Sequence, residues 1–367
     1  MKICVIAGLY RLSGVPLAQL KLARALFNDG HDVELIYIGN EPGYAVPNSE
    51  NFKIINLKKK RVITCFFNLL KIVKKKNFDL IFSAGDHLNV LVLFAAILTR
   101  SNVKISCSSR VTPFDTYSNY VFSKRWVLKQ LMKFVMYRAD VLTCVSNEMI
   151  DQYKKVFNGI KQICIYNIVH DRYSINLMNE AVDEEWLINK TKPVIVAAGM
   201  LEPWKGFDDL ILAFKKLIQK VSVRLLILGD GSQKKKLEEL IKKNNLADHV
   251  KLKGYVTNPL KFFSKADVFA LSSHVEGMPN VLIEAMMAGC TPVATNCKTG
   301  PNEVLQNGKY GYLVPVQDIN SLSEGLLMAL NKPINKNILS EAILSFSEKK
   351  VIEAHFKSLK IKTYNDS

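Results

Sequence analysis

Glu276 and Glu284 stand eight positions apart around a turn of Gly277, Met278, Pro279 and Asn280 that leads through Val281 into an apolar run. That run has helical spacing from about Pro279 to Ala288 and stops at Gly289, while Val268 to Leu271, before the turn, reads as a buried strand. Strand, loop and helix in this order put the loop at the carboxyl edge of a parallel sheet. The helix start there offers unpaired backbone N–H groups and the positive end of its dipole to an anion. Gly, Pro and two acids around such a start suit a polar, phosphate-bearing ligand. The plainer alternative is a surface turn with two solvated glutamates, and a second Gly-rich loop following at once argues against it.

Other loops at strand ends carry compatible chemistry. Lys205, in the loop from Gly199 to Gly206, is a cation suited to a diphosphate, where a charge-assisted contact serves both binding and departure of a phosphate leaving group. Taken alone it reads as a solvated loop lysine. Gly229-Asp230-Gly231 and Ser109-Arg110 close two further strands, and Ser13-Gly14 closes the first, although a lone Gly in such a loop is a weak phosphate signal.

The elements that position these loops alternate along the chain. Lys2 to Ala7 is strand-like, Gly8 to Pro16 a loop, Leu17 to Asn28 a helix and Asp32 to Ile38 a second strand. Strands are also expected at Lys53 to Leu57, Asp79 to Phe82, Lys104 to Cys107, Val141 to Val145 and Gln162 to Tyr166. Arg61 to Lys76 is an amphipathic helix with lysines crowding its end, for which packing on the sheet is the first expectation and a lipid-facing role the lesser one. Ser118 to Arg138 also reads as helix. From Ile168 to Lys192 the pattern dissolves into acidic sequence, read as a hinge. A second series then begins at the strand Pro193 to Ala198. It continues through a helix Phe207 to Lys220, a strand Arg224 to Leu228, a helix Lys234 to Asn244 and a strand Val250 to Leu252. A last helix near Glu348 to Leu359 stands apart from this series.

Composition narrows the class. At 367 residues, with 49% apolar and 23% charged residues, the chain can bury two cores. The first apolar run ends at Gly8 and Arg11, too short for a secretory signal, and the run from Leu88 to Leu98 falls short of the ~20 residues a membrane span needs. Seven cysteines without CxxC spacing and six scattered histidines favour packed thiols in a cytoplasmic protein, with no protein-bound metal. The net charge of +17 suits either an anionic partner or lysines that only keep the chain soluble; among partners a membrane surface or substrate fits better than nucleic acid, since no aromatic-studded basic stripe or helix-turn-helix pattern is present.

Glu276 and Glu284 reproduce the acid, seven residues, acid pattern of GT-B glycosyltransferases. The text EGMPNVLIEAMMAGCTPVATNCKTGPNEVL resembles the family 4 retaining members, as do GMLEPWKGFDDLILAF, RLLILGDGSQKKKLEEL and VKLKGYVTNPLKFFSKADVFALSS. The likeness is specific from about Pro193 to Val316 and looser before it. It implies an α/β chain of two facing Rossmann-like doubly wound domains with an interdomain cleft. The expected division is residues 1–167 as acceptor domain, joined by a C-terminal helix at about 345–367, then 168–192 as linker and 193–344 as donor domain. The implied activity is transfer of a hexose or N-acetylhexosamine from a nucleoside diphosphate sugar, expected to be UDP-linked, to a glycan or lipid-linked acceptor in surface-polysaccharide assembly. Alternatives are a GDP-mannose-dependent mannosyltransferase or a sugar-nucleotide epimerase.

By the same resemblance Glu284 binds the ribose and Glu276 lies beside the sugar. Backbone N–H groups from Gly277 to Asn280 receive sugar and diphosphate, Lys205 neutralises phosphate charge, and Gly14 approaches the diphosphate from the other domain. Arg110 takes the place of a family His or Arg near the reacting sugar. The chain departs from the family at Met200, where an Arg is usual, and at Ser13-Gly14, where Gly-Gly is usual. No cofactor is implied, and the basic N-terminal half is expected to meet an anionic membrane at the cytoplasmic face.

Overall fold

A computed structural model of the protein describes residues 1–11, 14–47, 50–75, 77–157, 159 and 161–361; Ser13 and Lys76 lie outside the described residues. The chain divides into two compact units, residues 1–168 with 346–367, and residues 169–345. The first holds a sheet of seven strands: β1 (Lys2–Tyr10), β2 (Asp32–Asn40), β3 (Lys53–Asn56), β4 (Leu80–Ala84), β5 (Lys104–Ser109), β6 (Val141–Cys144) and β7 (Gln162–Cys164). The second holds six: β8 (Val194–Ala198), β9 (Arg224–Leu228), β10 (Val250–Gly254), β11 (Val268–Leu271), β12 (Thr291–Thr295) and β13 (Tyr312–Val314).

Among the described residues every pairing is parallel, in the orders β3-β2-β1-β4-β5-β6-β7 and β10-β9-β8-β11-β12-β13. Each order reverses direction once, between β1 and β4 and between β8 and β11, which makes both units doubly wound Rossmann-like sheets. Strands covered by helices on both faces read as unbroken apolar runs. Ile3, Cys4, Val5, Ile6 and Ala7 in β1 and Val194, Ile195, Val196 and Ala197 in β8 are accordingly all buried.

Four segments differ from the sequence reading. β1 runs on to Tyr10 because Leu9 and Tyr10 pair with Gly39 and Asn40, so Gly8 lies within the strand and not in a loop. The stretch from Arg61 begins as a 3-10 turn at Val62–Cys65, where Val62, Ile63 and Thr64 are stiff β-branched residues, and becomes α-helical only over Phe66–Lys75. Of Ser118 to Arg138, only Lys124–Val135 is α-helix; the Ser123 hydroxyl caps it by accepting from the Trp126 N–H at 3.1 Å. The acidic segment 169–192 belongs to the second unit and carries short helices at Arg172–Met178 and Glu185–Ile188. Its acids are caps and ion-pair partners: Asp171 accepts from the Ser174 N–H at 2.7 Å, and buried Glu184 meets Lys251 at 2.9 Å. That use of charge leaves no apolar period to read.

The helix Glu348–Ser358 packs Val351, Ile352 and Phe356 into the core of the first unit beside Ile3, Val5 and Phe82. Among the described residues no helix is long and apolar enough to cross a membrane. Cys65, Cys107, Cys144, Cys290 and Cys297 carry free thiols, and burial raises those of Cys107, Cys144 and Cys290 well above their ordinary range.

Candidate active site

In the second unit the strand-order reversal places the loops after β8 and β11 side by side. The β8 loop makes a 3-10 turn at Pro203–Lys205 and ends at Gly206, whose φ of +61° is the left-handed region glycine tolerates. Gly206 also lets the two loops touch, since a Cβ there would lie 2.2 Å from the Ser272 carbonyl oxygen. The Ser272 hydroxyl donates to the Lys205 carbonyl at 2.9 Å, and the His274 N–H to the Trp204 carbonyl at 2.8 Å. His274 Nε2 in turn lies 2.7 Å from Asp209, in the first turn of the helix Phe207–Leu217.

This stitching brings Lys205 Nζ to 2.5 Å from Glu276 Oε1, with both side chains largely withdrawn from solvent. Glu276 is held from two further directions. The Ser273 hydroxyl donates to the same carboxylate oxygen at 2.6 Å, and the Thr299 hydroxyl donates to the Glu276 backbone carbonyl. The turn Gly277, Met278, Pro279 follows and the helix Asn280–Met287 begins, with Val281 in its first turn and Glu284 half-buried one turn on. Gly300, at φ +93°, backs this turn so closely that a Cβ would lie 2.5 Å from Pro279 Cδ and 2.8 Å from the Gly277 carbonyl oxygen.

Gly229 and Gly231 do the same for the neighbouring loops. A Cβ on Gly229 would fall 1.9 Å from the Gly199 carbonyl oxygen, and one on Gly231 2.6 Å from that of Leu201. The Leu201 N–H donates to the Asp230 carbonyl at 2.9 Å, and the Ser232 hydroxyl to Glu202 at 2.7 Å. Hydrogen bonds from Ser232 hold the Glu202 carboxyl below its usual range. Met200, half exposed, presents no charge in this loop. Gly199, Lys205, Gly229, Gly231, Glu276 and the turn to Val281 therefore form one connected set of switch-point loops. A preformed cation, a carboxylate and a helix start can there receive hydroxyls and an anion.

Gly14 and Arg110 belong to the first unit. Gly14, at φ +65°, opens the helix Gly14–Asn28 after β1. Arg110 follows β5; its Nε and Nη1 are buried without a hydrogen-bond partner among the described residues, and burial lowers its guanidinium to about 10. Beside it lies a cluster that spacing does not reveal. Buried Asp86 accepts from the hydroxyls of Ser109, Tyr117 and Tyr153 at 2.7, 2.7 and 2.6 Å, and Tyr153 also reaches the Val111 carbonyl at 3.1 Å. Burial and then the Asp86 charge push both phenols well above their ordinary range, so they stay protonated donors. The cluster fixes the segment on either side of Arg110. Ser273, Thr299 and Gly300 were also not singled out in sequence; the Thr-Gly-Pro run inside the second Gly-rich loop was the available signal.

The profile of the family described as "Glycosyl transferases group 1" matches residues 178–345, and that of "Glycosyltransferase Family 4" matches residues 13–172. The chain is 28% identical over 305 residues to N-acetylgalactosamine-N,N'-diacetylbacillosaminyl-diphospho-undecaprenol 4-alpha-N-acetylgalactosaminyltransferase of Campylobacter jejuni, covering 80% of this chain and 81% of that one. It is 32% identical over 256 residues to an uncharacterized glycosyltransferase of Methanocaldococcus jannaschii; the match covers 67% of this chain and 62% of the relative, less than two thirds of the latter's length. Among solved structures, Anabaena HepE in complex with UDP superposes with a TM-score of 0.78 at 18% identity, covering 98% of this chain and 100% of that one. At that identity the likeness is one of fold.

Proposed function

The chain belongs to family 4 of the glycosyltransferases of GT-B fold, and we propose that it moves a hexose or N-acetylhexosamine from a UDP-sugar to a lipid-linked acceptor, with retention of anomeric configuration. The observation that carries this reading is the Lys205–Glu276 contact of 2.5 Å beside the start of the helix Asn280–Met287. The bond from the anomeric carbon to a diphosphate oxygen must break while the acceptor oxygen takes its place, so negative charge grows on the departing diphosphate. A cation and a helix N-terminus fixed before the reaction stabilise that charge most where it develops.

In this reading Lys205 turns its ammonium to the phosphates as the donor enters, and the backbone N–H groups of Gly277 and Met278 receive sugar and diphosphate, since Pro279 has none and that of Asn280 donates to the Met278 carbonyl at 3.0 Å. Glu276, anchored by Ser273 and Thr299, keeps its carboxylate beside the transferred sugar, and Glu284 binds the ribose hydroxyls. Neither glutamate acts as a nucleophile. Arg110 Nε and Nη1, buried without a partner among the described residues, are completed by a ligand oxygen, since a buried charge without a partner is costly. Lys205 and the helix start stabilise the leaving group in place of a metal or other cofactor. The UDP bound to HepE and the diphospho-undecaprenol in the name of the Campylobacter relative support the choice of donor and acceptor. A nucleotide-sugar donor and the buried free thiols of Cys65, Cys107, Cys144, Cys290 and Cys297 support a cytoplasmic enzyme, and no nucleic-acid partner is invoked.

Melting the protein against a panel of UDP-, GDP- and ADP-sugars tests the donor, because a ligand that binds only the folded state raises the melting temperature with its occupancy. A UDP-sugar is expected to raise it, and Lys205→Ala to remove most of the rise. A shift with a GDP-sugar alone would replace the donor assignment, and no shift with any nucleotide sugar would overturn the site.

A further inference from the structure

The first unit exposes a patch of large apolar side chains immediately beyond Arg110. Tyr120 and Phe122 are 80% and 86% exposed, and Val121 between them is also open. The helix Lys124–Val135 that follows exposes Val127, Leu131 and Phe134, spaced at i, i+4 and i+7 so that they share one stripe, while Leu128, Met132 and Val135 face the core. Phe122 is also held at φ +64°, a left-handed backbone that a bulky residue seldom adopts, with its ring tilted against Trp126 at 5.8 Å. Strain kept at a fully exposed aromatic marks a functional position, and contiguous apolar exposure of this kind marks an interaction surface.

The charge around the patch says what covers it. From Thr116 to Ala139 the chain carries five Lys and Arg and no Asp or Glu. Lys129 donates to the Asn119 amide at 2.7 Å instead of pairing with a carboxylate, and burial and then neighbouring Lys133 lower its pKa. Lys124 and Lys133 join no ion pair among the described residues. The helix Phe66–Lys75, which packs on the same Asp86–Leu98 helix as Lys124–Val135, adds exposed Phe67 with Lys74 and Lys75 in its last turn. Between Leu57 and Asn77 there are eight basic residues and no acid. Aromatic and aliphatic side chains rimmed by unpaired lysines complement an anionic phospholipid surface, which takes the apolar groups to headgroup depth and the ammonium groups to its phosphates.

We propose that the Tyr120–Phe134 surface of the first unit docks on an anionic bilayer. The patch begins at the carboxyl edge of β5, next to Arg110, so the bilayer would meet the unit at the edge from which a lipid-linked acceptor is presented. The surface itself stands on exposure and charge; only its purpose rests on the acceptor reading.

Co-sedimentation of the full chain with vesicles of phosphatidylglycerol and phosphatidylcholine, against phosphatidylcholine alone, tests it. Binding is expected to the anionic vesicles. The double variant Phe122→Ser/Phe134→Ser should lower the partition coefficient at least about tenfold, and Lys124→Gln/Lys133→Gln should lower it at low salt more than at high salt. Both variants should keep the wild-type melting temperature and wild-type nucleotide release from a soluble donor. Equal binding by wild type and the Phe122→Ser/Phe134→Ser variant would overturn the proposal. So would a wild-type dimer in sedimentation velocity that this variant dissolves, because a second copy would then cover the patch. Vesicle binding that follows these expectations in a protein turning over no nucleotide sugar would uphold the docking surface and count against the donor reading alone.

Discussion

The two units share one strand order and furnish it differently. In the second unit the reversal between β8 and β11 is lined by backbone: Gly206, Gly229, Gly231 and Gly300 bring loops into contact that any Cβ would separate, leaving Lys205 and Glu276 as the charged pair. In the first unit the carboxyl edge of β4 and β5 is filled by side chains, with Asp86 gathering Ser109, Tyr117 and Tyr153 while Arg110 Nε and Nη1 find no partner among the described residues. Backbone-lined loops suit a ligand part common to many donors, such as a diphosphate. A side-chain-lined edge can be rebuilt for a new acceptor without disturbing the sheet.

Substitutions that attack each kind of furnishing should break this contrast or sharpen it. The largest stability effect is expected for Gly229→Ala, where the new Cβ would sit 1.9 Å from a carbonyl oxygen at a φ of +151°. The loss should be about 3 kcal/mol in denaturant unfolding of the second unit. Gly14→Ala is its counterpart in the first unit; its Cβ would meet only Arg11 Nη2 at 3.4 Å, so the positive φ alone should cost about 1 kcal/mol. Equal losses at the two glycines would remove the distinction.

Asp86→Ala strips the acceptor from three buried hydroxyls and should destabilise the first unit by about 2 kcal/mol. If nucleotide release from a soluble donor stayed within about twofold of wild type while acceptor transfer fell further, the cluster would be a positioning device for the acceptor edge.

Acid should also separate the units. Burial, then repulsion from Arg110, lowers buried His355 to about 3 from an ordinary 6.5. The unfolded chain therefore binds a proton that the folded one refuses as the pH falls from 6.5 toward 3, and the first unit loses up to about 1.4 kcal/mol per pH unit across that window. In the second unit the shifted groups Asp183, Glu202, Asp318 and Glu341 are carboxylates held low by hydrogen bonds from Lys261, Ser232, Ser321 and Tyr310, so their contribution fades only below the ordinary carboxylate range. Between pH 6.5 and 5 the first unit should weaken alone, and His355→Leu should flatten its profile. A profile unchanged by that substitution would place the acid sensitivity elsewhere.

What could be read in sequence follows the same divide. Strands such as Val194–Ala198, buried on both faces, show as short apolar runs, and loops built on glycine show as glycine. Asp86 lies 31 residues from Tyr117 and 67 from Tyr153, so no local spacing joins them. The helix Arg172–Met178 escaped because Asp171 caps it and the acids around it serve as partners for lysines, not as one face of an amphipathic pattern. The amphipathic run from Arg61 was read for the side that packs, Cys65, Leu69, Ile72 and Val73; that Ile63 and Phe67 stay open to solvent depends on neighbours the run itself does not name.

The measurement closest to the central claim is nucleotide release from a panel of nucleotide sugars by wild type and Glu276→Gln, with the anomeric configuration of the product read by NMR. Release from a UDP-sugar, retained configuration, and a fall of about 100-fold or more in Glu276→Gln at an unchanged melting temperature are expected, the size of losing one fixed charge at a transferring centre. No turnover of any donor, with Glu276→Gln and wild type behaving alike, would contradict the account.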